Sequence, residues 1–324
     1  MQGLINSIYK NRFVLPWFRL FRNLIKYRYA LIRASFGSRI ENHTTNTLFI
    51  IGCGRSGTTI LGKVLESHPD VYYFFEPWHL WAAVDSRLDL TNLHTGNEVD
   101  AIFDETSFTT TAQIRFEKLF YGSFRSDRHK TLIEKTPHNA LRIGYLDKLA
   151  RKPTYLHIVR DGIDVVKSID QIASKSTYQI ATMPHFNQWW GNNSCKWEAI
   201  KRHGKKVGFY ADEVDQLTTH KQKGAYEWLL SLHEVDKHRE ALGARLLEIK
   251  YADLVAETEM ELLKISSHFE LEQDTEWLRR AANMIRQKDI NKTVFEALGL
   301  PPKICRVFND NQERYGFLNR AVVL

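Results

Sequence analysis

Between Thr47 and Glu66 the chain sets a short apolar run, a glycine-rich turn and an apolar-periodic segment end to end. Thr47-Leu-Phe-Ile-Ile51 reads as a buried strand, Gly52-Cys-Gly-Arg-Ser-Gly57 as the turn that ends it, and Thr58 onward as a helix. Glycines let the backbone curl, so that successive N–H groups and the positive end of the helix dipole converge on one point. The hydroxyls of Ser56, Thr58 and Thr59 add donors there. The unit is an anion cradle built for a phosphate-like group.

The spacing Gly52-x-x-x-x-Gly57 is the first part of an ATP-binding P-loop, yet Thr58 stands where the loop's Lys belongs. A nucleoside triphosphatase needs that Lys on the terminal phosphates and a carboxylate-held Mg²⁺. The cation inside this loop is Arg55, whose planar fork suits a tetrahedral oxyanion without a metal. The bland alternative is a strand ending in a glycine turn before a helix. About a hundred residues on, Thr154-Tyr-Leu-His-Ile-Val159 reads as a second buried strand, closed by Arg160-Asp-Gly162, and Ile163 to Ser168 opens another helix. An Arg–Asp pair closing a turn is commonly structural. After the first loop, however, Arg160 and Ser168 fall where a phosphate between two strand ends would be gripped by both.

Together, Gly-x-Gly-Arg-Ser-Gly-Thr-Thr and Val-Arg-Asp-Gly-x-x-x-Val-x-Ser resemble the two nucleotide motifs of sulfotransferases that use 3′-phosphoadenosine 5′-phosphosulfate (PAPS). The resemblance implies that Arg55, Ser56, Gly57, Thr58 and Thr59 hold the 5′-phosphosulfate, and Arg160 and Ser168 the 3′-phosphate. Val71-Tyr-Tyr-Phe-Phe-Glu76-Pro77 is similar to the segment that carries a catalytic Glu in tyrosylprotein-type and related bacterial sulfotransferases. Leu132-Ile-Glu-Lys135-Thr-Pro is similar to their Lys-bearing segment, and Lys250-Tyr251-Ala-Asp253-Leu254 to the motif whose Tyr lies by the nucleotide. The likeness runs in order over residues 47 to 270 and points to bacterial or cyanobacterial members, related to tyrosylprotein and glycan sulfotransferases. The loop Lys and the Lys-Thr-His segment of the cytosolic enzymes are missing. So is their C-terminal 3′-phosphate motif, which leaves Lys292, Lys303 or Arg306 as substitutes.

Sulfuryl transfer asks for these residue types on chemical grounds. The acceptor hydroxyl loses a proton as it attacks, which assigns Glu76 as general base, its carboxylate expected to lie buried among Tyr73, Phe74, Phe75 and Trp78. Lys135 and Arg55 are the cations that would meet the charge on the leaving phosphate. The structural alternatives are a Glu76–Arg55 salt bridge and a Lys135–Glu134 pair.

With 324 residues, 43% of them hydrophobic, and alternating strand and helix patterns, the chain is expected to form one α/β domain: a three-layer, P-loop-like parallel sheet flanked by helices. Residues 170–225, rich in Trp and Lys, read as an acceptor-side insertion in a domain spanning 46–324. Their aromatic faces would stack on sugar rings or simply pack. Cys53, Cys195 and Cys305 are odd in number and widely spaced, as expected in a reducing, cytoplasmic setting without disulfides or a metal site.

Residues 1–45 hold eight Lys and Arg against Glu41 alone, so the whole net charge of +7 lies there. From Pro16 the pattern predicts an amphipathic helix with Arg19, Arg22, Lys26 and Arg33 on one face and Trp17, Leu20, Phe21, Leu24 and Leu31 opposite. This extension either lies on an anionic membrane surface, making the protein peripheral on the cytoplasmic face, or docks on the domain with its basic face solvated. It has neither a spanning run nor a signal peptide with a cleavage site, and no nucleic-acid role is expected of it. The expected co-substrate is PAPS without metal, and the partner is a hydroxyl-bearing acceptor: glycan, lipid headgroup, peptide Tyr or small alcohol. Two other readings stay open, a P-loop kinase-like phosphotransferase and a non-catalytic, membrane-associated nucleotide-binding protein.

Overall fold

The computed structural model describes residues 14–40, 46–124, 130–150, 153–175, 185–285, 294–318 and 320–323. Five strands form the central sheet: β1 (Asn46–Ile51), β2 (Val71–Phe75), β3 (Thr131–Lys135), β4 (Thr154–Val159) and, after two short strands β5 (Phe186–Asn187) and β6 (Gly191–Asn192), β7 (Leu246–Lys250). Their order is β2-β3-β1-β4-β7, and every pairing is parallel. A parallel sheet covered on both faces needs strands that are apolar throughout. β1 meets this, with all its residues after Asn46 buried.

The side-chain period of two sorts the strand residues between two cores. Phe49, Ile51, Leu132 and Tyr155 face one side with Trp81, Phe116 and Phe120. Leu48, Ile50, Ile133, Leu156 and Ile158 face the other with Leu61, Val64 and Trp277. Three layers follow, as the sequence predicts.

The amino-terminal helix α1 (Val14–Phe36) starts two residues before Pro16, which falls in the first turn, where a missing N–H leaves no bond unmade. It packs on α3 (Trp78–Val84) and α4 (Thr110–Leu119), reached through α2 (Thr58–Glu66). Ala30 and Ala34 are buried in that contact, with Tyr27 and Leu31 beside them. The expected docking, apolar face inward and basic face solvated, does not hold throughout. Arg33 turns onto the domain, donating to the Ser123 hydroxyl at 2.7 Å and the Lys118 carbonyl at 3.1 Å, while Phe21 and Leu24 face outward. Two small alanines allow the close approach, and the long Arg33 stem reaches hydrogen-bond acceptors rather than water.

In the insertion, Trp190 before α6 (Cys195–Lys206) and Trp197 within it are buried with Tyr226 and Trp228 of α7 (His220–Leu242). Here the packing role accounts for both of these tryptophans. β4 leads into α5 (Gly162–Ala173). The C-terminal β9 (Arg320–Val323) pairs in parallel with β8 (Val294–Ala297) and returns Arg320 to the β4–α5 corner, 2.7 Å from Asp161 and 2.5 Å from Asp164.

Candidate active site

The loop after β1 lies at the point where the chain turns from one side of the sheet to the other, since β3 and β4 flank β1. Crevices of parallel sheets open at such points. Gly57 caps α2 at φ 98°, in the left-handed region. A Cβ there would stand 2.3 Å from the Tyr251 ring, so glycine is required both by conformation and by the close approach. Ser56 and Thr58 are buried in the loop, and Thr59 is half-buried at the start of the helix.

The second motif closes onto the first. Arg55 donates from Nε to the Ser168 hydroxyl at 2.9 Å. Arg160 donates to the Arg55 carbonyl at 3.1 Å and to Asp164 at 3.1 Å. Its guanidinium lies 4.8 Å above the centre of the Tyr251 ring. Arg55, Gly57, Arg160, Ser168 and Tyr251 therefore form one connected wall. Burial, then the neighbouring Arg160 charge, lowers the Arg55 pKa, with Glu76 opposing. Two guanidinium groups held together in this way invite an anion between them.

Strand register brings the third element in. Lys135 is paired with Ile50 of β1 and with Phe75 of β2, so it ends its strand between the loop and Glu76. The ammonium is buried. It donates to the Thr59 hydroxyl at 3.1 Å and to the Glu76 carboxylate, and it sits 4.3 Å from the centre of the Phe75 ring. Burial lowers its pKa, and the Glu76 carboxylate opposes that shift. Glu134 points to the opposite face, where it accepts from Trp81 at 3.0 Å, Thr136 at 2.5 Å and Asn139. The alternation of a strand thus rules out the Lys135–Glu134 pair.

Glu76 is paired with Lys135 rather than with Arg55, and its side chain is 26% exposed rather than enclosed by the neighbouring aromatics. Its backbone, at φ 42° and just before Pro77, lies in the left-handed region. A non-glycine residue held there costs about 1–3 kcal/mol and recurs at functional sites. The N–H of Glu76 donates to the Lys135 carbonyl at 2.9 Å, which fixes the turn.

Two cavities flank this wall. One, of about 430 Å³, is lined by Arg55, Thr58, Thr59, Glu76, Trp78, His138, Trp189 and Lys196, and also by Leu20, Arg22 and Asn23 of α1. The other, of about 460 Å³, is lined by Arg160, Lys250, Tyr251, the stretch from Tyr315 to Leu318, and Arg320. Lys303 is instead paired with Glu213 at 2.7 Å, Arg306 is exposed outside both cavities, and Lys292 lies outside the described residues. Of these cations, sequence reasoning reached neither Lys250 nor Arg320. Lys250 stands next to Tyr251 at a strand end and was discoverable by the same logic that picks Lys135. Arg320 carries no local signal.

The floor of the first cavity uses an aromatic of the acceptor-side insertion, while Lys196 and His138 beside it were missed. Trp189 lies over the loop: a Cβ on Gly54 would stand 2.4 Å from its ring. Its indole N–H donates to Glu227 at 2.9 Å, and Lys196, buried, pairs with the same carboxylate at 2.7 Å. His138 is 6% exposed with neither ring nitrogen hydrogen-bonded. Burial, with the Lys196 and Arg142 charges, holds it well below the ordinary imidazole pKa, so it is neutral near pH 7.

The model of the sulfotransferase family matches residues 47–276. Nodulation protein NoeE of Sinorhizobium fredii is 25% identical over 144 residues, which cover 41% of this chain and 32% of NoeE. Carbohydrate sulfotransferase 7 of Mus musculus is 42% identical over 38 residues, 11% of this chain and 8% of that one. The matches thus span about a third of the first relative and under a tenth of the second. Among solved structures, sulfotransferase STF1 from Mycobacterium tuberculosis H37Rv aligns over 94% of this chain and 87% of its own, with a TM-score of 0.50 and 14% identity. At that identity the likeness concerns the fold.

Proposed function

The chain belongs to the sulfotransferase family, and from that premise we propose that it moves the sulfuryl group of PAPS to a hydroxyl of an acceptor seated in the cavity beside Glu76. The observation that carries this reading is the position of Lys135, whose ammonium joins Thr59 of the anion cradle to the Glu76 carboxylate. Cradle, cation and base meet at one atom.

In this reading the loop from Arg55 to Thr59 holds the phosphosulfate, and Arg160 with Ser168 holds the 3′-phosphate. Tyr251 and the second cavity take the nucleoside, where Lys250 and Arg320 stand in for the missing C-terminal motif. Lys135 has two partners, and an anion in the cradle competes with Glu76 for its charge. Drawing the ammonium toward the loop releases the carboxylate to accept the acceptor's proton. The acceptor oxygen then bonds to sulfur as the bond from sulfur to the 5′-phosphate oxygen breaks. Lys135 and Arg55 meet the charge left on that phosphate, a role worth several kcal/mol.

The reading is tested by incubating the protein with ³⁵S-labelled PAPS and an extract of its source cells. The expected result is a new labelled product that forms in proportion to the protein added, and its structure gives the acceptor. Label that remains on PAPS or appears only as inorganic sulfate would contradict it.

A further inference from the structure

Helix α1 is apolar over two adjoining arcs, one packed on the domain and one exposed. At about 100° per residue, Tyr27, Ala30, Leu31 and Ala34 form the face that packs on the domain. Phe21, Leu24, Ile25, Ile32 and Phe36 fall on the other, and they are 46–87% exposed. A helix that is apolar around most of its circumference is ordinarily covered on all of it. Four turns of large apolar side chains standing in water therefore ask for a partner.

The charge of the helix says which. Val14–Phe36 contains five Lys and Arg and no Asp or Glu. Arg33 is engaged with the domain. Arg28 stands within the exposed apolar arc, Arg22 lies beyond one edge of it, and Lys26 lies farther round toward Arg33, all three exposed. A partner must therefore be apolar along the arc and carry anionic groups within reach of these cations. A second copy would set like charges against like. Among the described residues no helix is long and apolar enough to cross a membrane.

We infer that α1 docks the protein on the surface of an anionic phospholipid bilayer, with Phe21, Leu24, Ile25, Ile32 and Phe36 in the acyl boundary and Arg28, standing among them, reaching the phosphates. The domain-packed face and the lipid face use different residues, so docking on the domain and on the membrane coexist. Leu20, Arg22 and Asn23 of the same helix line the cavity that contains Glu76, which gives the bilayer contact and the acceptor cavity a common wall. The inference rests on the helix face and not on the choice of nucleotide.

The test is co-sedimentation of the full chain with vesicles of phosphatidylcholine mixed with phosphatidylglycerol, beside vesicles of phosphatidylcholine alone. Binding is expected only to the anionic vesicles and is expected to fall with salt, because surface charge is screened within roughly 10 Å at 0.1 M. Arg28→Glu should weaken it at least about fivefold, the equivalent of one cation at the surface. Combined Phe21→Gln, Ile25→Gln and Ile32→Gln should abolish it while thermal stability and nucleotide affinity stay as in the parent, since all three positions are exposed and outside both cavities. The inference is overturned if the chain stays in the supernatant at low salt, if it loads equally on both vesicle types, or if the triple variant binds as the parent does. It is equally overturned if light scattering shows a dimer that the triple variant loses without any vesicle binding.

Discussion

Replacing Glu76 by Gln is expected to cut turnover by roughly 10²–10⁴ while leaving PAPS affinity nearly unchanged. Gln keeps the shape and still accepts a hydrogen bond from Lys135, so the left-handed turn before Pro77 and the N–H bond to the Lys135 carbonyl survive. Only the capacity to take a proton is lost. Single-turnover kinetics with calorimetric binding of the desulfated nucleotide separates the two quantities. A loss of affinity as large as the loss of rate would identify Glu76 as a structural carboxylate and remove the base from the mechanism.

Lys135→Met is expected to slow transfer by about 10²–10³, the usual cost of removing one preorganised group that stabilises developing charge. Met keeps an unbranched apolar stem in the same buried place and removes the ammonium that lies over the Phe75 ring and links Thr59 to Glu76. A structural cation would behave otherwise: the melting temperature would fall and the rate per folded molecule would hold. The two substitutions touch one contact, so they should not add. In the double variant the combined loss is expected to be smaller than the product of the single losses. Independent, multiplicative losses would mean that the carboxylate and the ammonium act at separate steps.

The parts of this molecule that were legible in the sequence are those whose information is local. The strand, turn and helix from Thr47 to Glu66 announce themselves by periodicity and glycine spacing, and the same holds for Thr154 to Ser168. Their meeting is long-range, and it follows from the pairing of β1 with β4, which brings Arg55 to Ser168. The Glu76–Lys135 pair was less accessible. It depends on register, which sets Lys135 beside Ile50 and Phe75, and on the alternation that sends Glu134 to the other face. Residue type alone left both partners ambiguous.

Tertiary packing hid the rest. The N-terminal helix was read with one apolar and one basic face, because periodicity counts hydrophobic residues and not the small ones. Ala30 and Ala34 make the docking face, and Arg33 reaches Ser123 across 90 residues of sequence. Arg320 comes to Asp161 across 159 residues, and the indole of Trp189 finds Glu227 on α7. No window of sequence contains such pairs. His138 follows Pro137 in an unremarkable stretch, and only the cavity around it marks its unpaired ring nitrogens.

The identity of the donor is the claim on which the mechanism depends, and calorimetry addresses it directly. PAPS and its desulfated product are expected to bind the parent protein tightly in the presence of a chelator, with no gain on adding Mg²⁺, and Arg160→Ala is expected to weaken both. Tight binding of Mg²⁺-ATP with no heat from PAPS would contradict the account and assign the cradle to a phosphotransferase.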